Sequence, residues 1–103
     1  MRFEEWLALS DSARLEAQKD WLPYQQGYWT DLLSQAATRF REETAGLPHL
    51  VDVNYGTYHG GTLIIGVVTD LPLSERLDLP AYYLGFPLLQ FHSKGNKIGT
   101  ADA

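Results

Sequence analysis

Residues 29–40 read WTDLLSQAATRF, and their apolar side chains recur at the spacing of a single helix face. The positions i, i+3, i+4, i+7, i+8 and i+11 are occupied by Trp29, Leu32, Leu33, Ala36, Ala37 and Phe40. A continuous stripe of this kind is typical of an α-helix that buries one face. Gly46 and Pro48 follow the stripe, as residues that end a helix often do. The stretch therefore predicts a helix packed against another layer of structure.

Upstream of this helix, the spacing predicts another helix over Asp11–Trp21. Ser10 and Asp11 offer side-chain oxygens that suit a helix N-cap, and Pro23 prevents regular continuation of the helix. Phe3–Leu9 also has a short helix-like spacing, and it is either a separate turn or part of the same helix.

Downstream, the period changes from that of a helix to that of a strand. Leu50–Tyr58 alternates, which predicts a strand that turns Val51, Val53 and Tyr55 toward the core. Thr62–Val68 is apolar on both faces and should be the more buried strand of the pair.

The two strands are separated by residues 59–61, His-Gly-Gly, which suit a tight turn because glycine adopts positive φ. Phe86–His92 predicts a third strand, with Pro87 at its start or on a sheet edge, since proline cannot donate to a ladder. Before it, Pro80–Leu84 has the pattern of a helical turn that Gly85 closes.

Together these segments predict an α+β fold in which two N-terminal helices pack on a small, mostly antiparallel three-stranded sheet. Residues 1–92 are expected to form a single domain, and 93–103 a flexible C-terminal tail. The predicted core consists of Trp29, Leu32, Leu33, Ala36, Phe40, Val51, Val53, Tyr55, Leu63, Ile65, Val67, Leu88 and Phe91.

The charge balance limits the classes of partner. The chain of 103 residues carries 8 basic and 13 acidic residues, a net charge of −5. Residues 1–48 hold 5 basic and 8 acidic residues (−3) and residues 49–103 hold 3 and 5 (−2), so neither half hides a basic region. Nucleic acids and anionic membranes attract lysine and arginine, so this sequence argues against both. A basic protein partner fits it.

Compartment is indicated by two features. The sequence has no cysteine, which excludes disulfides and fits a reducing environment. Its first residues include Glu4 and Glu5 and no uninterrupted apolar stretch, which is unlike a secretory signal. We therefore expect a cytoplasmic protein.

Histidines and carboxylates do not predict a catalytic or metal site. His49 and His59 bracket the first strand, about 30 Å apart at roughly 3.3 Å per residue, so they cannot share a site. His92 would lie near His49 if the third strand runs antiparallel to the first, and near His59 if it runs parallel. Two histidines with Asp52 or Asp70 could bind a metal, but solvated histidines are the favoured interpretation.

Motifs that would indicate an enzyme are also missing. Phosphate-loop, dinucleotide-loop, zinc-protease and calcium-loop patterns do not occur, and no nucleophile–base–orienter set can be assembled. We therefore predict no catalytic residues, no bound metal and no cofactor.

Tyrosines are the main functional signal, because tyrosine and tryptophan are enriched at binding hot spots. The predicted partner-binding residues are Tyr24, Tyr28, Tyr82, Tyr83 and His59. The other interpretation of these rings is that they cap a small core. The resulting hypothesis is a small non-enzymatic protein-interaction module, such as an inhibitor or immunity-type binder of a basic partner, or one that self-associates.

A small-ligand-binding domain or minor enzyme is the alternative function. Its site would lie between the sheet and the loop 69–84, with His59, Asp70 or His92 as polar anchors. Such a site needs an enclosed apolar pocket with converging polar groups.

Overall fold

A computed structural model describes residues 2–19, 26–58 and 62–93, with side chains described for all of these except 19 and 26–28. Its elements in chain order are α1 (Phe3–Ala8), α2 (Asp11–Lys19), α3 (Gln26–Glu43), β1 (Leu50–Tyr58), β2 (Thr62–Thr69), β3 (Tyr82–Tyr83) and β4 (Phe86–His92). The predicted α+β class is confirmed.

The sheet has four strands in the order β1-β2-β4-β3, one more than predicted. β1 and β2 are antiparallel, β2 and β4 are parallel, and β4 and β3 are antiparallel. Because β4 therefore runs antiparallel to β1, His92 lies at the same end of the sheet as His49, paired with Thr69.

The N-terminal helices are separate elements. Leu9 has an extended backbone (φ −75°, ψ 153°) that ends α1, so Phe3–Leu9 is not part of the following helix. Ser10 caps α2, since its hydroxyl accepts the main-chain N–H of Ala13 at 3.1 Å. The predicted end of α2 at Trp21 lies outside the described residues, as do the predicted turn at 59–61 and the tail from residue 94 onward.

The apolar stripe of α3 is buried as predicted, and the helix packs across β1 and β2. It ends before Gly46, whose φ of 87° is the left-handed conformation of a helix terminus. The hydrophobic core contains Trp6, Trp29, Leu32, Leu33, Ala36, Ala37, Phe40, Val53, Leu63, Ile65, Val67 and Phe86. Trp6 and Phe86 were not predicted core residues, yet both are fully buried.

Two of the predicted core positions on β1 are exposed. A register shift between Leu50 and Asp52 interrupts the alternation, and Val51 is 55% exposed. Tyr55 shares the helix-covered side of the sheet with Val53, but it lies on an edge strand and is 45% exposed. A second group of predicted core residues, Leu88 and Phe91, is only partly buried.

The prediction of a helical turn over Pro80–Leu84 is wrong. Tyr82 and Tyr83 form a short strand that pairs with Pro87 and Phe86. The two turn residues have φ values of 50° at Leu84 and 88° at Gly85, and two consecutive positive φ angles are the signature of a two-residue hairpin turn. This hairpin positions the groove described below.

Candidate functional site

A groove of about 290 Å³ lies between α2 and the β3–β4 hairpin. It is lined by Asp11, Leu15, Pro80, Ala81, Tyr82, Leu84 and Gly85. Most of this lining is apolar, and Tyr82 is 50% exposed at its margin. A large, rigid ring beside an apolar concavity is a common arrangement at protein-binding surfaces.

Both carbonyls of the hairpin turn are bonded to helical side chains. The indole N–H of Trp6 donates to the carbonyl of Leu84 at 2.9 Å, and the side-chain amide of Gln18 donates to the carbonyl of Gly85 at 2.6 Å. The bond from Gln18 joins α2 to the hairpin, which are the two walls of the groove, and the bond from Trp6 joins the hairpin to α1.

Arg14 ties α2 to the end of α1 beneath this groove. Its buried guanidinium donates to two carbonyls near the end of α1, those of Trp6 at 3.0 Å and Leu7 at 3.2 Å. It also donates to Asp11 at 2.7 Å. The side chain of Asp11 is 88% exposed, so this carboxylate also presents negative charge at the groove.

Neighbouring tyrosines of β3 have different environments. Tyr82 faces the groove, whereas the ring of Tyr83 packs 4.9 Å from that of Phe40. The hydroxyl of Tyr83 donates to the carboxylate of Glu43 at 2.7 Å. Burial, and then this hydrogen bond with Glu43, raise the pKa of Tyr83 to about 12.

The raised pKa of Tyr83 predicts a stability change in alkaline solution. Its ordinary value is 10.0, so the folded state holds the proton more tightly than the unfolded chain does. The resulting stabilisation is fully present below pH 10 and is lost as the pH rises toward 12. Urea unfolding from pH 9 to 12 should show this loss in the native chain. In Tyr83→Phe it should be weaker, and an unchanged pH profile in that variant would contradict the assignment.

The other three predicted partner-binding residues have no described side chain. Tyr24 and His59 lie outside the described residues, and Tyr28 belongs to α3 but its side chain is not described. Of the two predicted residues whose side chains the structure describes, Tyr82 lines the groove and Tyr83 does not. Leu15 and Leu84 also line the groove and were not predicted as site residues. The sequence signal for Leu15 was its large apolar side chain among the charged and small residues of α2.

Two polar anchors of the alternative ligand site, Asp70 and His92, contact other residues, and the third, His59, lies outside the described residues. Nδ1 of His49 lies 2.8 Å from a carboxylate oxygen of Asp70, and both side chains are about half exposed. His92 is buried, with its Nδ1 3.3 Å from the carbonyl of Leu71. Within the described ranges, no three histidine or acidic side chains are grouped so that they could hold a metal ion.

The loop between β2 and β3 is anchored to the sheet and the core at a few positions. The side-chain amide of Gln90 bonds to both main-chain groups of Leu77, each at 2.8 Å. Leu77 and Leu79 also pack against the hydrophobic core. The loop therefore contacts the rest of the domain at Leu77 and Leu79.

Comparisons were made with protein-family models, curated proteins and solved structures, and no match was found for this chain. The fold and the groove themselves define this chain as an α+β domain with a preformed surface concavity. Among the described helices, none has the length and apolar character needed to cross a bilayer.

Proposed function

We propose that this chain is a small, non-enzymatic protein-binding module of the inhibitor or immunity type, which binds a basic partner through the groove beside Tyr82. The observation that carries the proposal is the half-exposed ring of Tyr82 at the margin of an apolar groove of about 290 Å³. A partner side chain that enters this groove would bury apolar surface against Leu15 and Leu84, with Tyr82 as the larger contact.

Rigidity of the groove supports a binding function. The hairpin turn is bonded to Trp6 and Gln18, so the wall formed by the turn is held before any partner arrives. A preorganised site binds more tightly because less conformational entropy is lost on association.

Charge supports the choice of a basic partner. The chain has a net charge of −5, and the exposed carboxylate of Asp11 lies at the groove itself. Asp78, two residues before Pro80, is also exposed. Acidic surfaces accelerate association with basic proteins, and added salt screens the effect. A cytoplasmic location belongs to the same proposal and is supported by the absence of cysteine.

Affinity capture from the native cells tests this function when it is done with a matched pair of variants. Tyr82→Ala removes the exposed ring at the groove, and Tyr55→Ala removes a ring of similar exposure from β1, at the opposite edge of the sheet. We expect a basic protein to be captured stoichiometrically by the native chain and by Tyr55→Ala. Loss of a hot-spot tyrosine costs about 2 kcal/mol, so Tyr82→Ala should bind that protein about 30-fold more weakly.

Salt supplies a second readout of the same capture. Retention should fall as the ionic strength rises, because the attraction between an acidic module and a basic partner is screened. Equal capture by Tyr82→Ala and the native chain would contradict the assignment of the groove. Capture of an acidic protein whose retention does not depend on salt would contradict the assignment of the partner class.

A further inference from the structure

β1 occupies one edge of the sheet and is nine residues long, whereas β3 at the other edge has only two residues. A long edge strand presents unpaired main-chain groups that can pair with a strand of another molecule. Exposed apolar side chains at Val51 and Tyr55 would add contacts to such pairing. The β1 edge is therefore the part of the sheet most open to association.

Both main-chain groups of Val53, near the middle of β1, are bonded to side chains. Its N–H donates to a carboxylate oxygen of Asp52 at 2.8 Å, and its carbonyl accepts a hydrogen bond from the guanidinium of Arg41. The side chain of Val53 itself is buried beneath α3. Arg41 therefore approaches Val53 from the helix-covered face, while Asp52, one residue away, projects from the opposite face.

The geometry of a β-ladder determines which side of β1 the main-chain groups of Val53 face. In an antiparallel pair, the N–H and C=O of a residue point to the same side, and that side alternates along the strand. With Val53 bonded to side chains, we infer that Val53, Tyr55 and Thr57 direct their main-chain groups away from β2. Within the described part of the chain, side-chain hydrogen bonds to these outward groups occur at Val53 and not at Tyr55 or Thr57.

We propose that Arg41 and Asp52 form a clip that keeps β1 from pairing with β1 of a second copy of this chain. When two copies of β1 are related by a two-fold axis, their edges are antiparallel and self-complementary. A second copy of this chain can therefore pair with this edge without a strand from any other protein. Pairing centred near Tyr55 would place Val53 of one copy opposite Thr57 of the other. The clip occupies the Val53 groups that this pairing needs, and the native chain stays monomeric.

The double variant Arg41→Met/Asp52→Ala tests the clip without changing the net charge, because it removes one positive and one negative charge. Methionine retains most of the aliphatic length of arginine while it removes the donor. The matched control Glu75→Ala/Arg76→Met also removes one negative and one positive charge, at two exposed loop positions. Light scattering after size-exclusion chromatography, over a range of concentrations, measures the dimer dissociation constant of each.

We expect the native chain and the control to be monomers and the clip variant to form a closed dimer. Its dimer dissociation constant should be at least about tenfold lower than that of the native chain, equivalent to about 1.4 kcal/mol. A clip variant that remains monomeric, one that forms open-ended assemblies, or a native chain that already pairs through β1 would overturn the proposal.

Amide hydrogen exchange of the native chain keeps the test decisive if the double variant fails to fold. The Val53 amide, bonded to a carboxylate, should exchange at least about tenfold more slowly than the amides of Tyr55 and Thr57. Equal exchange at the three positions would overturn the clip.

Discussion

Trp6→Ala is expected to lower the free energy of unfolding by about 3–5 kcal/mol, the range found when a buried aromatic ring is truncated to alanine. Trp6 is fully buried, and its ring centroid lies 5.6 Å from those of Trp29 and Phe86. The substitution would also leave the carbonyl of Leu84 without its indole donor. The loss is a large part of the roughly 5–15 kcal/mol that stabilises a small domain.

Urea unfolding followed by circular dichroism measures this loss. Trp6→Phe serves as the intermediate variant, because it keeps a ring in the core and removes the hydrogen bond to Leu84. It should therefore lie between the native chain and Trp6→Ala. A loss below about 1 kcal/mol in Trp6→Ala would show that this ring does not join the first helix to the hairpin.

Gly85→Ala is expected to cost about 2–5 kcal/mol, a large effect for the addition of one methyl group. Its φ of 88° belongs to the left-handed region, where a side chain costs about 1–2 kcal/mol. The added Cβ would also lie 2.9 Å from Cβ of Arg14 and 3.1 Å from Cζ2 of Trp6, and overpacking of this kind costs about 1–3 kcal/mol.

Gly56→Ala is the matched control for this substitution. Gly56 lies in β1 without a positive φ, and a Cβ placed there meets no atom within 4 Å. Its replacement should leave the free energy of unfolding within about 1 kcal/mol of the native value. If the two variants unfold at the same urea concentration, the close approach of the hairpin to α1 and α2 is wrong.

Periodicity predicted those elements whose own residues carry the pattern. The stripe from Trp29 to Phe40 predicted α3, and alternation predicted β1. In each segment the spacing of the apolar residues alone shows which face is buried. Burial of Trp6 was not predictable in this way. Its helix has only six residues, and its partners Phe86 and Leu84 are distant in sequence.

Position within the sheet explains the errors on β1 and β3. Exposure of Val51 follows from a register shift, and exposure of Tyr55 from its place on an edge strand, neither of which a single strand's pattern reveals. The hairpin at Leu84–Gly85 lacks the usual asparagine or aspartate before glycine, so the sequence pattern around Pro80 favours a helical turn instead.

The tyrosine signal was only partly informative about the site. Tyr82 and Tyr83 are adjacent and identical in type, yet they point to opposite sides of a two-residue strand. Sequence alone could not choose between contact and core capping for either ring. The structure places Tyr82 at the groove and Tyr83 against Phe40.

Site-specific photo-crosslinking in the native cells tests the groove most directly, with p-benzoylphenylalanine incorporated in place of Tyr82 or, as the control, of Tyr55. A ring at position 82 should yield one discrete adduct with a basic protein, and the ring at position 55 should not yield that adduct. An adduct that forms equally from both positions, or from position 55 alone, would contradict recognition through this groove.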